Sequence, residues 1–226
     1  MTAIQDSLFS RSEGNSWFAR NKKALDAFDP GKDFPLMLIK TYGLKPGRVL
    51  EVGASNGYRL AWLVDALSCS AVGVEPSADA IADGRARFPK VRFEQGIASE
   101  IPVREKFDLV IVNFVFHWID RVSLLKSVSE VDRMVDDSGF LILGDFLPSS
   151  CTKVKYHHLP DEQVYTYKQN YAEMFLTAGL YHQVALHTSS TETKIPDPSV
   201  DSDRRFGVWL LRKSLTGNYN EKTFTV

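Results

Sequence analysis

Short apolar runs alternate with amphipathic segments between residues 48 and 146, and this alternation constrains the fold more than any other feature. The runs are rich in valine, isoleucine and leucine, which favours buried strands, and the segments between them carry apolar residues at helical spacing. Strands are predicted at 48–53, 71–74, 91–93, 108–114 and 140–146, and helices at 58–67, 77–88 and 123–135. Strands joined by helices form right-handed βαβ units, so the pattern predicts an α/β fold with a parallel, doubly wound sheet.

The two flanks of this alternation follow other patterns. Residues 12–44 have helical spacing that is interrupted at Asp29-Pro30-Gly31. Near the C-terminus, strand candidates at 183–188 and 205–212 have no helix between them, which predicts an antiparallel pair at a sheet edge. The other predicted segments are a loop at 148–160, a helix at 163–178 and a polar loop that contains Pro196 and Pro198.

Composition and charge narrow the class of protein. The chain has 226 residues, of which 44% are hydrophobic, and its formal net charge is −1. These values predict a globular domain and no nucleic-acid partner, because a protein that binds a phosphate backbone needs a basic surface. Only two cysteines, no signal-like N-terminus and no long apolar run predict a cytoplasmic protein without a membrane partner. A monomer or a homodimer is expected, and the sequence does not distinguish the two. No cluster has the spacing of metal ligands, so no metal is predicted.

The first predicted strand ends in a turn with two glycines, Gly53-Ala54-Ser55-Asn56-Gly57. A turn between strand and helix can point backbone N–H groups at a ligand, although it can also need glycine only for its own geometry. The turn also matches the G-x-S-x-G pattern of hydrolases, with Ser55 as nucleophile and Asp145 and His157 as partners. Only helical sequence precedes it, which disfavours a hydrolase, and its spacing fails the G-x-G-x-x-G pattern of dinucleotide sites.

A second feature favours a nucleoside-containing ligand. Glu75 ends the second predicted strand, within Val72-Gly73-Val74-Glu75-Pro76-Ser77. A carboxylate at this position of a βαβ unit can accept hydrogen bonds from both hydroxyls of a ribose. A hydrolase has no need of such a residue.

Five segments, in order, resemble the motifs of class I S-adenosylmethionine-dependent methyltransferases. They are VLEVGASNG, VGVEPS, FEQGIASEIP, FDLVIVNFVFHWI and GFLILGDF, and they extend from about residue 48 to residue 146. The resemblance implies a Rossmann-like, three-layer α/β/α fold whose seven-stranded sheet is mostly parallel, with an antiparallel C-terminal strand pair. It also implies S-adenosylmethionine as the cofactor and S-adenosylhomocysteine as the product.

The resemblance further implies which residues hold the cofactor. Glu51 and Gly53 would hold the methionine amino group, and Glu75 would bind the ribose. The other implied residues are Ala54, Ser55 and Gly57 in the turn, Pro76 after Glu75, Ile97 and Ala98 beside the adenine, and Asn113 and Phe114 under the sulfonium. Two positions depart from the family pattern, because Ser55 replaces the usual middle glycine and Ile97 replaces a frequent aspartate.

The acceptor side is predicted from residues beyond the fourth and fifth strands. His117 is the predicted general base for a hydroxyl acceptor, with packing beneath the cofactor as the alternative role. The predicted substrate-binding residues are Trp17 on the N-terminal helix, Asp145 after the fifth strand, His157 and His158 in the next loop, and Tyr167 on the helix predicted to follow. For Asp145 a capping role, and for Trp17 and Tyr167 ordinary packing, remain alternatives.

The resemblance implies methyl transfer, and together with these residues it predicts a small-molecule acceptor, preferably a hydroxyl of a sugar or natural-product scaffold. Residues 1–44 are predicted to form a helical cap, and residues 45–226 the methyltransferase domain, in which about 148–180 helps to build the acceptor pocket. The alternatives are a catalytically inactive S-adenosylmethionine-binding protein and, less favoured, a serine hydrolase that uses Ser55.

Overall fold

The computed structural model describes residues 4–190 and 202–222. Its strands are β1 (Arg48–Val52), β2 (Ser70–Glu75), β3 (Arg92–Gln95), β4 (Phe107–Asn113), β5 (Val135–Phe146), β6 (Thr152–Lys155), β7 (Tyr165–Lys168), β8 (Tyr181–Ser190) and β9 (Arg205–Lys213). Its α-helices are α1 (Ile4–Leu8), α2 (Gly14–Asp26), α3 (Phe34–Thr41), α4 (Tyr58–Leu67), α5 (Ala78–Arg87), α6 (Leu124–Met134) and α7 (Glu173–Leu176). The predicted loop with Pro196 and Pro198 lies outside the described residues.

Seven of these strands form one sheet in the order β3-β2-β1-β4-β5-β9-β8. Strands β1 to β5 pair in parallel, whereas β9 is antiparallel to both β5 and β8. The predicted doubly wound sheet with an antiparallel C-terminal pair is therefore confirmed. The strand order reverses between β1 and β4, and ligands of such sheets bind at this point, beyond the carboxyl ends of the strands.

Side chains that alternate along each strand build one apolar core on each face of the sheet. Leu50 of β1 belongs to the same buried cluster as Met134 of α6, while the preceding Val49 belongs to a second cluster with Leu60 of α4. Neighbouring residues of a strand point to opposite faces, so β1 is covered by helices on both sides. This is the predicted three-layer arrangement. Among the described residues, no helix combines the length and apolar character needed to cross a bilayer.

The predicted helix at 163–178 is wrong. Tyr165–Lys168 is strand β7, which pairs with β6 inside the predicted loop 148–160, and only Glu173–Leu176 is α-helical. The helical pattern came from Tyr171 and Phe175, which are four positions apart and both buried. The Tyr-Thr-Tyr run before them has strand character, and cross-strand pairing with β6 decides its structure. These two strands form a separate two-stranded sheet.

The N-terminal residues form a helix that begins earlier than residue 12, where it was predicted to begin. Helix α1, a π-helical turn at Phe9–Glu13 and α2 follow one another directly from Ile4 to Asp26, and we call these residues the cap helix. Gln5 attaches it to the rest of the molecule, because its Nε2 donates to the carbonyl oxygens of Trp118 (2.6 Å) and Tyr165 (2.8 Å). The Tyr165 N–H donates back to Gln5 Oε1 at 3.0 Å.

Candidate functional site

The glycine turn between β1 and α4 brings backbone close to the edge of the sheet. Gly53 and Gly57 both have φ of +75°, a conformation that L residues with side chains rarely adopt. A Cβ at Gly53 would lie 2.4 Å from Val115 Cγ2, and one at Gly57 would lie 2.5 Å from the Phe93 ring. Both glycines are therefore required by the fold of the turn itself. Ser55 has φ of +50°, so the residue in the middle of the turn also bends the chain.

Glu51, at the end of β1, lies in a buried ion pair with Arg59 of α4. Arg59 is only 4% exposed, and it also contacts Asp33, whose Oδ2 lies 2.8 Å from Arg59 Nη2. Burial raises the pKa of Glu51, while the neighbouring guanidinium opposes that rise. The second carboxyl oxygen, Oε2, is buried without a hydrogen-bond partner in the described part of the chain.

Glu75, at the end of β2, faces the same turn. Its Oε2 accepts a hydrogen bond from the Ser55 N–H at 2.8 Å, and its Oε1 accepts one from the Ser77 N–H at 3.0 Å. Burial raises the pKa of Glu75 to about 7, and these two hydrogen bonds oppose the rise. The carboxyl group is thus held in a fixed orientation, and each oxygen keeps a lone pair for a further donor.

A cavity of about 480 Å³ lies beyond the carboxyl ends of β1, β2 and β4, under the cap helix. This volume is within the range of small-molecule sites. On one side it is lined by Val52, Gly53, Ser55, Glu75, Pro76, Gly96, Ile97, Ala98, Ser99, Asn113, Phe114 and Val115. The remaining lining residues, which we group under the name acceptor side, are Asp6, Phe9, Gly14, Trp17, Tyr58, Arg59, His117, Trp118, Ile119 and Phe146.

Buried polar atoms without a partner concentrate at the first of these sides. Glu51 Oε2, Ser55 Oγ and Asn113 Oδ1 each lack a hydrogen-bond partner within the described residues. Buried polar atoms are normally satisfied, and exceptions mark places where a ligand or another partner completes the hydrogen bonding. Acceptor oxygens at the ends of β1 and β4, together with a ribose-type carboxylate at the end of β2, fit an amino acid–nucleoside cofactor.

His117 and Asp145 form a buried pair next to the cavity. His117 Nδ1 lies 2.9 Å from Asp145 Oδ1, and the backbone N–H of His117 donates to Asp145 Oδ2 at 3.2 Å. Asp145 is fully buried, and its Oδ1 also accepts from the Phe146 N–H at 2.8 Å. A carboxylate at Nδ1 favours the tautomer with its proton on Nδ1, which leaves Nε2 free to accept a proton. This arrangement fits a general base.

The structure brings most of the predicted site residues to one cavity. Among them, those that line it are Gly53, Ser55, Glu75, Pro76, Ile97, Ala98, Asn113, Phe114, His117 and Trp17. Four other predicted residues are next to the lining residues. Glu51 contacts Arg59, Asp145 contacts His117, and Ala54 and Gly57 belong to the glycine turn. His157, His158 and Tyr167 are not among the lining residues, and both histidines are exposed.

Two findings explain why Tyr167 and His157 are not at the cavity. The segment of Tyr167 is a strand and not the predicted helix, and Asp145 pairs with His117 and not with His157. Tyr167 lies on β7, where it stacks under Arg121 with the guanidinium 4.2 Å from the ring centre. Asp145 binds His117, so the pairing with His157 that a Ser55 hydrolase would need is not formed. Ser55 Oγ has no hydrogen-bond partner among the described residues, and thus no base that would activate it.

Sequence reasoning missed several lining residues of the acceptor side. Asp6 and Phe9 lie on the part of the cap helix that precedes residue 12, where the predicted helical spacing begins, and Trp118 and Phe146 were passed over beside His117 and Asp145. The available signal was position, since both aromatic residues directly follow a predicted site residue beyond a strand end. In the described residues, no group of three or more His, Cys, Asp and Glu side chains could hold a metal ion.

Known proteins provide an independent comparison. A family model described as a methyltransferase domain matches residues 49–139. A methyltransferase of Alkaliphilus oremlandii (strain OhILAs), itself described as uncharacterized, is 24% identical over 148 residues, which are 60% of this chain and 68% of the relative. An uncharacterized methyltransferase of Synechocystis is 25% identical over 114 residues, or 50% of this chain, and the match spans only 53% of that relative.

Solved structures share the fold at low sequence identity. The 1,6-didemethyltoxoflavin-N1-methyltransferase of Burkholderia thailandensis, solved with 1,6-didemethyltoxoflavin and S-adenosylhomocysteine, has a TM-score of 0.70 and 16% identity, with 95% of this chain and 92% of that chain covered. The N-methyltransferase NodS of Bradyrhizobium japonicum, solved with S-adenosylhomocysteine, has a TM-score of 0.57 and 13% identity, with 79% and 84% covered.

The domain match, the relatives and the fold confirm the resemblance seen in the sequence. Residues 49–139 match a methyltransferase domain, and the relatives and solved structures support an S-adenosylmethionine-dependent methyltransferase of class I. The predicted enzyme class and its cofactor agree with this assignment.

Proposed function

We propose that this protein transfers a methyl group from S-adenosylmethionine to a protic group of a small-molecule acceptor, with His117 as the general base. The cofactor supplies a methyl group on a positively charged sulfur, which is displaced in line by the acceptor atom. The observation that carries the proposal is the buried His117–Asp145 pair, which borders the same cavity as the glycine turn and Glu75.

The geometry of the strand ends supports the residues that we propose to hold the cofactor. Glu75, held by the Ser55 and Ser77 N–H groups, would accept hydrogen bonds from the ribose hydroxyls. The unpartnered Oε2 of Glu51 and the turn at Gly53 would take the methionine part of the cofactor. Ile97 and Ala98 would contact the adenine, and Asn113 and Phe114 would lie next to the sulfonium.

His117 would remove the acceptor proton as the new bond to carbon forms. With a proton on Nδ1 and Asp145 beside it, the ring accepts the acceptor proton at Nε2. The Asp145 carboxylate stabilises the imidazolium that results, and its hydrogen bond from the Phe146 N–H fixes its own orientation. A hydroxyl acceptor gains most from such a base, because an alcohol or phenol oxygen becomes a stronger nucleophile when its proton leaves.

The division of the chain into a cap and a catalytic domain is part of the proposal. Residues 1–44 would act as the cap, since Phe9, Gly14 and Trp17 of the cap helix line the cavity. Residues 45–226 would form the methyltransferase domain. Within about 148–180, Tyr156 holds the cap helix in place, because its hydroxyl donates to Glu13 Oε1 at 2.8 Å.

Calorimetry with S-adenosylhomocysteine, followed by a methyl-transfer assay, tests the proposal. The assay measures S-adenosylhomocysteine formation by mass spectrometry over a panel of small hydroxylated acceptors. We expect saturable binding, and we expect His117→Ala to lower turnover by about a hundredfold or more with less than about a threefold change in product affinity. His182→Ala, which changes an exposed histidine of β8, is the matched control and should leave both values unchanged.

Two results would contradict the proposal. No binding of S-adenosylhomocysteine at millimolar concentration would remove the methyltransferase itself. Tight binding without transfer to any acceptor of the panel would favour the inactive binding protein.

A further inference from the structure

We propose that the acceptor is a planar aromatic compound with one weakly acidic ring-borne O–H or N–H group, and not a sugar. This inference rests on the proposed methyl transfer and on the side chains of the acceptor side. Compared with the expected hydroxyl of a sugar or natural product, it excludes the sugar, requires an aromatic ring and also admits a ring N–H group.

Aromatic rings surround the general base on both sides. The ring centre of His117 lies 4.4 Å from that of Trp118 and 5.0 Å from that of Phe146. From Trp118 the array continues to the cap helix, with Phe9 at 5.2 Å and Trp17 at 6.1 Å. Flat ring faces and edges at these spacings favour a ligand that is itself flat and aromatic, through offset or edge-to-face contacts.

The charged residues of the acceptor side have their hydrogen bonds filled by the protein. Asp6 Oδ2 accepts from the Ser123 hydroxyl at 2.5 Å and from the Ser99 hydroxyl at 3.2 Å, and Asp6 Oδ1 accepts from the Asp120 N–H at 2.9 Å. Arg59 is held between Glu51 and Asp33. Neither residue is therefore free to bind a polyhydroxylated or charged acceptor.

The polar groups left for an acceptor are few. Among the acceptor-side side chains of the described residues, they are the His117 imidazole, the Trp118 indole, whose Nε1 is buried without a partner, and the Tyr58 hydroxyl, which already accepts from Arg59 Nη2 at 3.3 Å. His117 Nε2 can accept a hydrogen bond and the indole N–H of the next residue, Trp118, can donate one, so the two together match one protic group on the ligand. A sugar brings several hydroxyls, and each one buried without a partner costs binding free energy, which disfavours it here.

The test measures the binding of matched probes to the protein saturated with S-adenosylhomocysteine. The probes are 2-naphthol, its saturated counterpart decahydro-2-naphthol, the saturated ammonium decahydro-2-naphthylamine and methyl glucoside. We expect 2-naphthol to bind about tenfold more tightly than decahydro-2-naphthol. The saturated alcohol is the more hydrophobic of this pair, so such a preference reports ring contacts and not simple burial of apolar surface.

Variants locate the site of binding. Trp17→Leu and Phe146→Leu change half-buried rings, so the fold should survive, and each should weaken 2-naphthol binding about threefold to tenfold. Tyr42→Leu changes an exposed ring after α3 and should have no effect. Loss of the naphthol preference in the two cavity variants, with the control unchanged, supports the inference.

The remaining outcomes decide against it. Equal or tighter binding of decahydro-2-naphthol or methyl glucoside, with S-adenosylhomocysteine bound, overturns the aromatic acceptor and leaves the methyltransferase intact. Tightest binding of the saturated ammonium would indicate that the rings hold a cation instead. If S-adenosylhomocysteine itself does not bind, the proposed function fails and this inference fails with it.

Discussion

The strand ends at the cavity and the cap helix above it treat buried polar groups in opposite ways. At the strand ends, Glu51 Oε2, Ser55 Oγ and Asn113 Oδ1 are buried without partners in the described chain. Under the cap helix, by contrast, Gln5 and Asp6 have their side chains filled with hydrogen bonds from the rest of the protein. The strand ends are therefore built to be completed by a ligand, whereas the polar groups of the cap serve to hold the cap in place.

Because of this difference, the polar groups at the strand ends should contribute mainly to ligand binding, and those of the cap helix mainly to the stability of the fold. A buried polar group without a partner destabilises the folded protein until a ligand supplies the missing hydrogen bond. A buried polar group that is hydrogen-bonded within the protein stabilises the fold directly. Substitutions in the two regions should therefore affect different measurements.

The largest effect is expected at Asp145, which holds the His117 ring from the end of β5. Asp145→Asn keeps the size of the side chain but removes the carboxylate that favours the productive His117 tautomer. Turnover should fall by about a hundredfold or more, while S-adenosylhomocysteine affinity should change by less than about threefold. The methyl-transfer assay and calorimetry measure these two values. Asp161→Asn, on an exposed loop, is the control and should leave turnover unchanged. If the turnover of Asp145→Asn stays within threefold of the parent value, the His117–Asp145 pair has only a structural role.

Next in size is the loss of a filled polar group from the cap. Gln5→Ala removes three hydrogen bonds to Trp118 and Tyr165 and leaves their backbone groups unsatisfied. The free energy of unfolding in urea should fall by about 1–3 kcal/mol. Gln183→Ala, which changes an exposed glutamine of β8, should change it by less than about 0.5 kcal/mol. An unaltered urea midpoint in Gln5→Ala would mean that these bonds do not hold the cap.

An intermediate effect concerns pH and Glu75. Because burial raises its pKa from 4.5 to about 7, the folded protein keeps a proton on Glu75 across this range while the unfolded chain has lost it. Glu75 therefore lowers the free energy of unfolding as pH rises from 4.5 towards 7, with no further change above. Ribose hydroxyls need the ionised carboxylate, so S-adenosylhomocysteine affinity should fall about fivefold between pH 7 and pH 6.

Calorimetry over pH 6 to 8 measures this slope. Glu75→Gln should bind more weakly and lose most of the pH dependence, and Glu221→Gln, on the exposed C-terminal segment, should keep it. Glu51 is the other buried carboxyl at the strand ends, but its ion pair with Arg59 opposes protonation. An unchanged slope in Glu75→Gln would remove Glu75 as the group that titrates.

The smallest effect on stability is expected at an unpartnered group. Ser55→Ala removes a buried hydroxyl that has no hydrogen bond in the described chain and keeps the same Cβ at φ of +50°. The melting temperature should stay the same or rise slightly, while S-adenosylhomocysteine binding should weaken about threefold. Differential scanning fluorimetry and calorimetry measure the two quantities. A marked loss of stability would break the contrast between the strand ends and the cap helix.

Local patterns were enough to predict the cofactor side. Gly53 and Glu75 were identifiable because a strand end, a turn and a carboxylate are properties of a few neighbouring residues, and parallel strand ends meet at one edge. Helix 163–178 failed for the converse reason. Its apolar spacing fitted a helix, but the pairing of β7 with β6 depends on residues about a dozen positions away, and no local pattern reports that pairing.

The sequence by itself determined the α/β class, the succession of strands along residues 48–146 and the class of cofactor, and most of the residues it predicts to hold that cofactor line one cavity. Only the tertiary structure decided that His117 pairs with Asp145, because that contact needs Asn113 of β4 to lie beside Gly144 of β5. Only the tertiary structure placed Asp6 against Ser123, 117 positions away, and Phe9 against Trp118. Hydrophobic periodicity records what each segment buries, but the partner of a buried group is set by how distant segments pack.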